Sequence, residues 1–291
     1  MKFRWAENCG SFRCAGSALC RLTIEPMRTA AMNPVVLPSN DKVASRLLPP
    51  EHRALVGTFL KTNSVHTVEI LGGSPLDFVV VDAEHAPFDR AAIDLLVLAG
   101  RAVGMPVLVR VPDTAPATIL SVLDVGAAGL LVPHVDSAQH AREVVALTRC
   151  RGGSRGFSSA TRAAGYGLLP MAEAVDAVNG CFIMAQIESA AAVEAAQEIA
   201  SVDGIDGLFV GRADLALSMG LVDAKHPEVL AGAQAALRAA REAGKVAGMA
   251  VGSAAERHRF APLGANWFIV GSDQALLRHG AEMAAAPVAS A

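Results

Sequence analysis

The sequence predicts a closed barrel of eight parallel β/α units, a (β/α)8 fold, on three observations. Short apolar runs rich in Val, Leu and Ile recur eight times from Ala54 onward. Each is followed by a capped stretch of helical period. The eight repeats together fill about 240 residues, the length such a barrel takes. Near-continuous apolar runs such as Phe78-Val-Val-Val81 and Gly129-Leu-Leu-Val132 mark strands covered on both faces, as parallel strands flanked by helices are. An open doubly wound sheet is the alternative, because counting strands does not prove closure. Neither a GxGxxG fingerprint nor a GxxxxGK[ST] phosphate loop occurs.

In chain order, the strands are expected over 54–60, 77–82, 106–110, 129–133, 181–187, 206–210, 246–250 and 267–271. Between them, Thr114-Ala-Pro116 opens a helix that stops before Gly126, and Ser137 caps one that runs to Arg149. Pro227 starts another that ends at Gly244. The wide gap before the fifth strand holds the polar, glycine-rich stretch Arg151–Gly167. Loops of that length are commonly functional, so Arg155, Arg162 and Tyr166 are expected to meet either the distal end of a substrate or an adjoining subunit.

Composition narrows the function. The 291 residues are 52% apolar with a formal charge of −3, enough for a large core and without the basic footprint that nucleic acid demands. No uncharged apolar run reaches the ~18 residues of a membrane span, so a cytoplasmic protein with a small-molecule partner is expected. Aromatic content is 4%, which predicts a core of aliphatic side chains. The cysteines (Cys9, Cys14, Cys20, Cys150 and Cys181) have neither CxxC nor zinc-finger spacing. Residues 1–40 lack sustained periodicity and a secretory apolar segment; 1–45 are read as an extension, disordered or preceding the natural start, and 46–291 as the barrel domain.

Reactive groups in a parallel barrel collect where the strands end, because the following loops all open on that face. This chain places ionisable groups there repeatedly: Asp82, Glu84 and His85 after the second strand, Arg110 at the end of the third, Gln186 and Glu188 on the fifth, and Arg212 and Asp214 after the sixth. Gln186 and Glu188, two apart, face the same way, and an inward carboxylate calls for a cation. Asp214 follows one unit later, so the pair offers all-oxygen ligation suited to Mg²⁺ or Mn²⁺. The plainer alternative is that both acids cap helices. His85, oriented by Asp82, is the candidate general base, against a loop histidine satisfied by backbone. Arg110 presents a fork for a carboxylate or enolate oxygen, or else pairs with Asp82 or Glu188. Backbone N–H groups around Ala213 are candidate anion donors. His66 and His134 are held as supporting residues at the same mouth.

The segments Val81-Asp-Ala-Glu-His-Ala-Pro87, Val107-Leu-Val-Arg110, Leu131-Val-Pro-His134, Ala185-Gln-Ile-Glu188, Gly211-Arg-Ala-Asp-Leu215 and Val270-Gly-Ser-Asp273 resemble the HpcH/HpaI family of metal-dependent class II pyruvate aldolases, from about Leu55 to Ala285. The resemblance implies a barrel that forms a homo-oligomer, with a hexamer favoured. It also implies reversible cleavage of a 4-hydroxy-2-oxo acid to pyruvate and an aldehyde through a metal-stabilised enolate. By the same likeness Glu188 and Asp214 look like ligands of Mg²⁺, Mn²⁺ or Co²⁺, His85 and Asp82 like a catalytic dyad, Arg110 like the holder of the pyruvyl oxygen, and Gln186 and Ala213 like substrate contacts. Two departures from the family pattern, Arg212 after Gly211 and Phe59 where a tryptophan is common, bear on the aldehyde. The alternatives are a CoA-thioester lyase of the citrate lyase β or malyl-CoA type on the same barrel, and a non-catalytic barrel that binds a keto acid.

Overall fold

The computed structural model describes residues 45–286. The chain divides into two units, Met1–Val36 and Leu37–Ala291, and the fold described here lies within the second. The expectation for an N-terminal extension falls, but for Ser45, outside the described residues, as do Cys9, Cys14 and Cys20.

Eight strands close into one barrel, each hydrogen-bonded in parallel to the next and the last to the first. They are β1 (Leu55–Leu60), β2 (Phe78–Asp82), β3 (Val107–Arg110), β4 (Gly129–Val132), β5 (Phe182–Ile187), β6 (Gly207–Val210), β7 (Val246–Val251) and β8 (Trp267–Ser272). The barrel expectation is borne out, with strand limits within one residue of the sequence reading, and the open sheet is excluded. The helices Pro116–Asp124, Ala138–Thr148 and Pro227–Glu242 stand where proline and serine signals put them. Ser137 accepts the His140 N–H at 3.1 Å, the bond an N-cap side chain makes.

Strand alternation sorts side chains into two cores. Val79, Val81, Val107 and Val109 point outward to the helices, while Phe78, Val80, Leu108, Phe182, Met184, Phe209 and Trp267 fill the interior. The aliphatic expectation holds for the outer core apart from Phe260 and Phe268, and only in part for the inner one, where Phe59, Phe78, Phe182, Phe209 and Trp267 join the aliphatic side chains. Trp267 stacks on Phe78 with ring centroids 3.8 Å apart and meets Phe209 edge-on at 6.0 Å. A ring fills more of the tapering interior than an aliphatic chain does. Glycines make room for these rings: a Cβ at Gly57 would lie 2.3 Å from the Phe78 ring.

The 151–167 stretch folds back on the outer helices of its own chain. Arg155 donates to Asp124 Oδ1 at 2.8 Å and to the Val178 carbonyl at 2.9 Å. Arg162 donates to Asp94 Oδ1 at 2.6 Å, to the Val125 carbonyl at 2.8 Å and to the Tyr166 hydroxyl at 3.0 Å. Both arginines are therefore bound within the chain.

Candidate active site

The inward alternation that begins with Phe78 and Val80 ends on Asp82, and on β3 Leu108 leads to Arg110. The register sets Asp82 opposite Arg110. Neighbouring inward positions touch, so the pair forms: Arg110 Nε and Nη2 lie 2.9 and 2.8 Å from Asp82 Oδ1. The β1–β2 register pairs Leu60 with Val81, and the next residue, Lys61, brings its Nζ to 2.5 Å from Asp82 Oδ2. Asp82 is fully buried. Burial pushes its carboxyl up, but Arg110 and Lys61 outweigh that and hold it below the ordinary aspartate value. Phe59 lies under the Arg110 guanidinium, 4.7 Å from its ring centroid, and fixes the plane of the fork.

The remaining Arg110 nitrogen, Nη1, reaches Glu84 Oε2 at 3.2 Å. Glu84 also approaches both histidine rings of the mouth, His85 at 3.7 Å and His134 at 3.5 Å. Burial raises the Glu84 carboxyl above its ordinary value, with Glu188 adding like-charge repulsion and Arg110 opposing. His134, one of two non-glycine residues with positive φ among the described residues, turns its backbone N–H onto Glu188 Oε1 at 2.7 Å and its Nδ1 to the same oxygen at 3.0 Å. Its carbonyl meets the ring of His140 at 3.1 Å. On β5 the Gln186 amide nitrogen donates to Glu188 Oε2, as the two-residue spacing implies.

Five of the seven sequence-predicted residues thus stand at the carboxyl end of the barrel, on or just after β2, β3 and β5: Asp82, His85, Arg110, Gln186 and Glu188. The contacts among them are specific. Asp82 takes the Arg110 fork and the His85 backbone N–H (3.2 Å), while the His85 ring, just over half exposed, faces Glu84 instead of Asp82. The other two, Ala213 and Asp214, lie in the first turn of the helix Arg212–Ser218 that follows β6. Gly211, which precedes that helix, packs against Glu188: a Cβ there would sit 3.2 Å from Glu188 Oε2 and 3.3 Å from Gln186 Nε2. Neither acid is an N-cap. Ser189 caps the helix after β5 and Gly211 occupies the cap position after β6. His66 is exposed in the helix Val65–Gly72 after β1. Sequence reasoning missed the bridging role of Glu84, although it carries the signal of an acid directly after a strand, and it missed the Lys61 pairing.

Among the described residues no group of three or more His, Cys, Asp or Glu side chains is arranged to hold a metal ion, yet the oxygen donors at this mouth are of the kind a hard divalent ion takes. Three carboxylates, Asp82, Glu84 and Glu188, face two permanent cations, Arg110 and Lys61. Glu188 is buried, with no lysine or arginine paired to it among the described residues. Gln186 Oε1 is buried with no hydrogen-bond partner among the described residues. Carboxylate and amide oxygens without thiolates are the donor set of Mg²⁺ and Mn²⁺.

Comparison with known proteins gives the family. Residues 55–280 match the family described as HpcH/HpaI aldolase/citrate lyase. A 5-keto-4-deoxy-D-glucarate aldolase of Klebsiella pneumoniae is 35% identical over 229 residues, 78% of this chain and 89% of that protein. A 4-hydroxy-2-oxo-heptane-1,7-dioate aldolase of Salmonella dublin is 37% identical over 239 residues, covering 80% and 90% of the two chains. Among solved structures, a HpcH/HpaI aldolase/citrate lyase family protein from Burkholderia cenocepacia superposes with a TM-score of 0.79 at 30% identity, over 84% of this chain and 97% of that one. A HpcH/HpaI aldolase from Desulfitobacterium hafniense gives 0.74 at 31%, over 82% and 96%. The barrel, its carboxylate-lined mouth and these matches together place the chain in the HpcH/HpaI aldolase/citrate lyase family.

Proposed function

We propose that the chain is a carbon–carbon lyase, a divalent-metal-dependent aldolase that reversibly cleaves a 4-hydroxy-2-oxo acid to pyruvate and an aldehyde. The observation that carries the reading is the convergence of Asp82, Glu84, Arg110, Gln186 and Glu188 on the carboxyl end of the closed barrel. The aldolase names of the relatives support it. Glu188 and Asp214 would hold the ion, with Mg²⁺, Mn²⁺ and Co²⁺ as candidates. When bound, such an ion polarises the keto and carboxylate oxygens of pyruvate and so acidifies the adjacent methyl group.

The chain's own residues supply the rest. Arg110, its plane set by Phe59 and its fork held by Asp82, is the preorganised positive charge for the oxygen on which negative charge grows. His85 moves the proton at the methyl carbon, with Glu84 beside its ring. Gln186 and the backbone at Ala213 position the pyruvyl group. Lys61 has its nitrogen committed to Asp82, which disfavours a Schiff-base route. A homo-oligomer, with a hexamer favoured, is part of the proposal. No described helix is long and apolar enough to cross a membrane, and a cytoplasmic setting is part of the proposal.

The test is solvent deuterium exchange at the pyruvate methyl with Mg²⁺ or Mn²⁺ present, alongside release of pyruvate from a 4-hydroxy-2-oxo acid. Both are expected, both vanish with a chelator, and His85→Ala loses the exchange. Pyruvate binding without exchange would identify a keto-acid-binding barrel. Full turnover by His85→Ala, or a covalent adduct trapped by borohydride, would overturn the assignment.

A further inference from the structure

The loop that follows β4 is pinned to the end of β5. Val135 is fully buried, and Asp136 Oδ1 accepts the hydroxyl of Ser189, the residue after Glu188, at 2.5 Å. His134 lies exposed between the buried Pro133 and Val135, with φ +56°, a left-handed conformation that a residue with a side chain enters at a cost. A neighbouring ring holds the turn in that shape. The His134 carbonyl accepts from His140 Nδ1 at 3.1 Å, and His140 Nε2 lies 3.4 Å from the Thr114 hydroxyl.

Backbone strain that its surroundings hold in place points to a use. Here the left-handed turn brings two donors of one residue onto one oxygen: the His134 N–H and ring Nδ1 lie 2.7 and 3.0 Å from Glu188 Oε1. Glu188 Oε2 accepts from the Gln186 amide. A carboxylate offers about four lone-pair sites. The His134 turn occupies both on Oε1 and Gln186 occupies one on Oε2, so a single site, on Oε2, is left. Gly211 leaves that oxygen uncrowded, since a Cβ there would sit 3.2 Å from it. The far nitrogen of the His134 ring, Nε2, faces Glu84 Oε1 at 3.5 Å, so the ring stands between two carboxylates.

We propose that His134 is a positioning residue of the metal site: its N–H and ring lock Glu188 so that the carboxylate offers the ion one oxygen, Oε2, in a fixed direction. The proposal rests on the reading of Glu188 as a holder of the ion. It goes beyond that reading by assigning part of the ion's affinity to a residue on another strand's loop. Partners that orient a metal ligand carry about 10–100-fold in affinity. The His134 side chain is 69% exposed, so water takes over part of its role when it is removed, and the expected effect is near the lower end, about tenfold.

The experiment titrates the full chain with Mn²⁺, read from the spectrum of the free ion, in the wild type, His134→Gly and His134→Asn. Urea unfolding shows that each variant is folded, and exchange at the pyruvate methyl is followed across the same Mn²⁺ range. Glycine takes the left-handed turn without strain and keeps the N–H while removing the ring. Asparagine also visits this conformation and restores a side-chain N–H near the place of Nδ1. His134→Gly is expected to bind Mn²⁺ about tenfold more weakly and to need about tenfold more Mn²⁺ for half-maximal exchange, and His134→Asn to recover most of that loss. His134→Ala makes the same comparison should the glycine protein not fold. Undiminished Mn²⁺ affinity without the ring would overturn the proposal, and so would a loss that His134→Asn shares in full. A maximal exchange rate that falls tenfold while Mn²⁺ affinity holds would also overturn it, since His134 would then act in the chemical step. Mn²⁺ bound by the wild type without exchange would overturn the aldolase reading alone, and the binding data would still decide the role of His134. No Mn²⁺ binding by the wild type would overturn the metal reading and this inference with it.

Discussion

Asp82→Asn is the sharpest perturbation of the mouth that can be read as stability. Asp82 is fully buried and binds two cations, Arg110 at 2.8 and 2.9 Å and Lys61 at 2.5 Å. Removing one partner of a buried ion pair costs about 3–5 kcal/mol, because the other charge stays desolvated. Asparagine keeps one acceptor oxygen, which recovers about 1 kcal/mol. Glu84 still touches Arg110 at 3.2 Å, so the expected loss at pH 7 is about 2–4 kcal/mol. The sign with pH follows from the depressed carboxyl. Its contribution is present above the unfolded value of about 3.9 and is lost as pH falls through the lower folded value. Urea unfolding of both proteins at one fixed protein concentration, from pH 7 to below 4, gives the difference directly. The gap between them should narrow only at the acid end. A difference below about 1 kcal/mol at pH 7, or one that does not change with pH, would refute the buried-pair reasoning.

Two other substitutions separate the barrel from its mouth. In Gly129→Ala the new Cβ would lie 2.3 Å from the Phe182 carbonyl oxygen of the neighbouring strand, and backbone cannot step aside, so a loss of about 3 kcal/mol or more is expected in the same unfolding assay. In Gly211→Ala the contacts are 3.2 Å to Glu188 Oε2 and 3.3 Å to Gln186 Nε2, with no positive φ, so stability should stay within about 1 kcal/mol. Its pyruvate-methyl exchange should nevertheless fall by about tenfold, since small displacements of a reacting group cost that order of rate.

The strands were legible because burial on both faces leaves runs such as Phe78–Val81, and the helix starts because Ser137, Pro116 and Pro227 carry cap chemistry. Asp82, Arg110, Gln186 and Glu188 were legible as polar residues that end apolar strands. What escaped was pairing across strands and loops. Lys61 meets Asp82 only because the β1–β2 register continues one residue past the strand, and register is not written in either segment alone. The spacing of Asp82 and His85 suggested a contact between carboxylate and ring. The turn after β2 instead gives Asp82 the His85 backbone N–H and aims the ring at Glu84. Arg212 read as a free positive charge at the mouth, yet its partner Glu256 lies 44 residues further along the chain. The aromatic interior escaped because average composition does not tell where the few rings collect.

The most direct test is equilibrium binding of Mn²⁺ to the wild type, Glu188→Gln and Asp214→Asn, read from the spectrum of the free ion. One ion per chain in the wild type, with affinity lost in both variants while their folding is intact, is the expected result. Undiminished binding in either variant would contradict the assignment of these two carboxylates as joint holders of the ion.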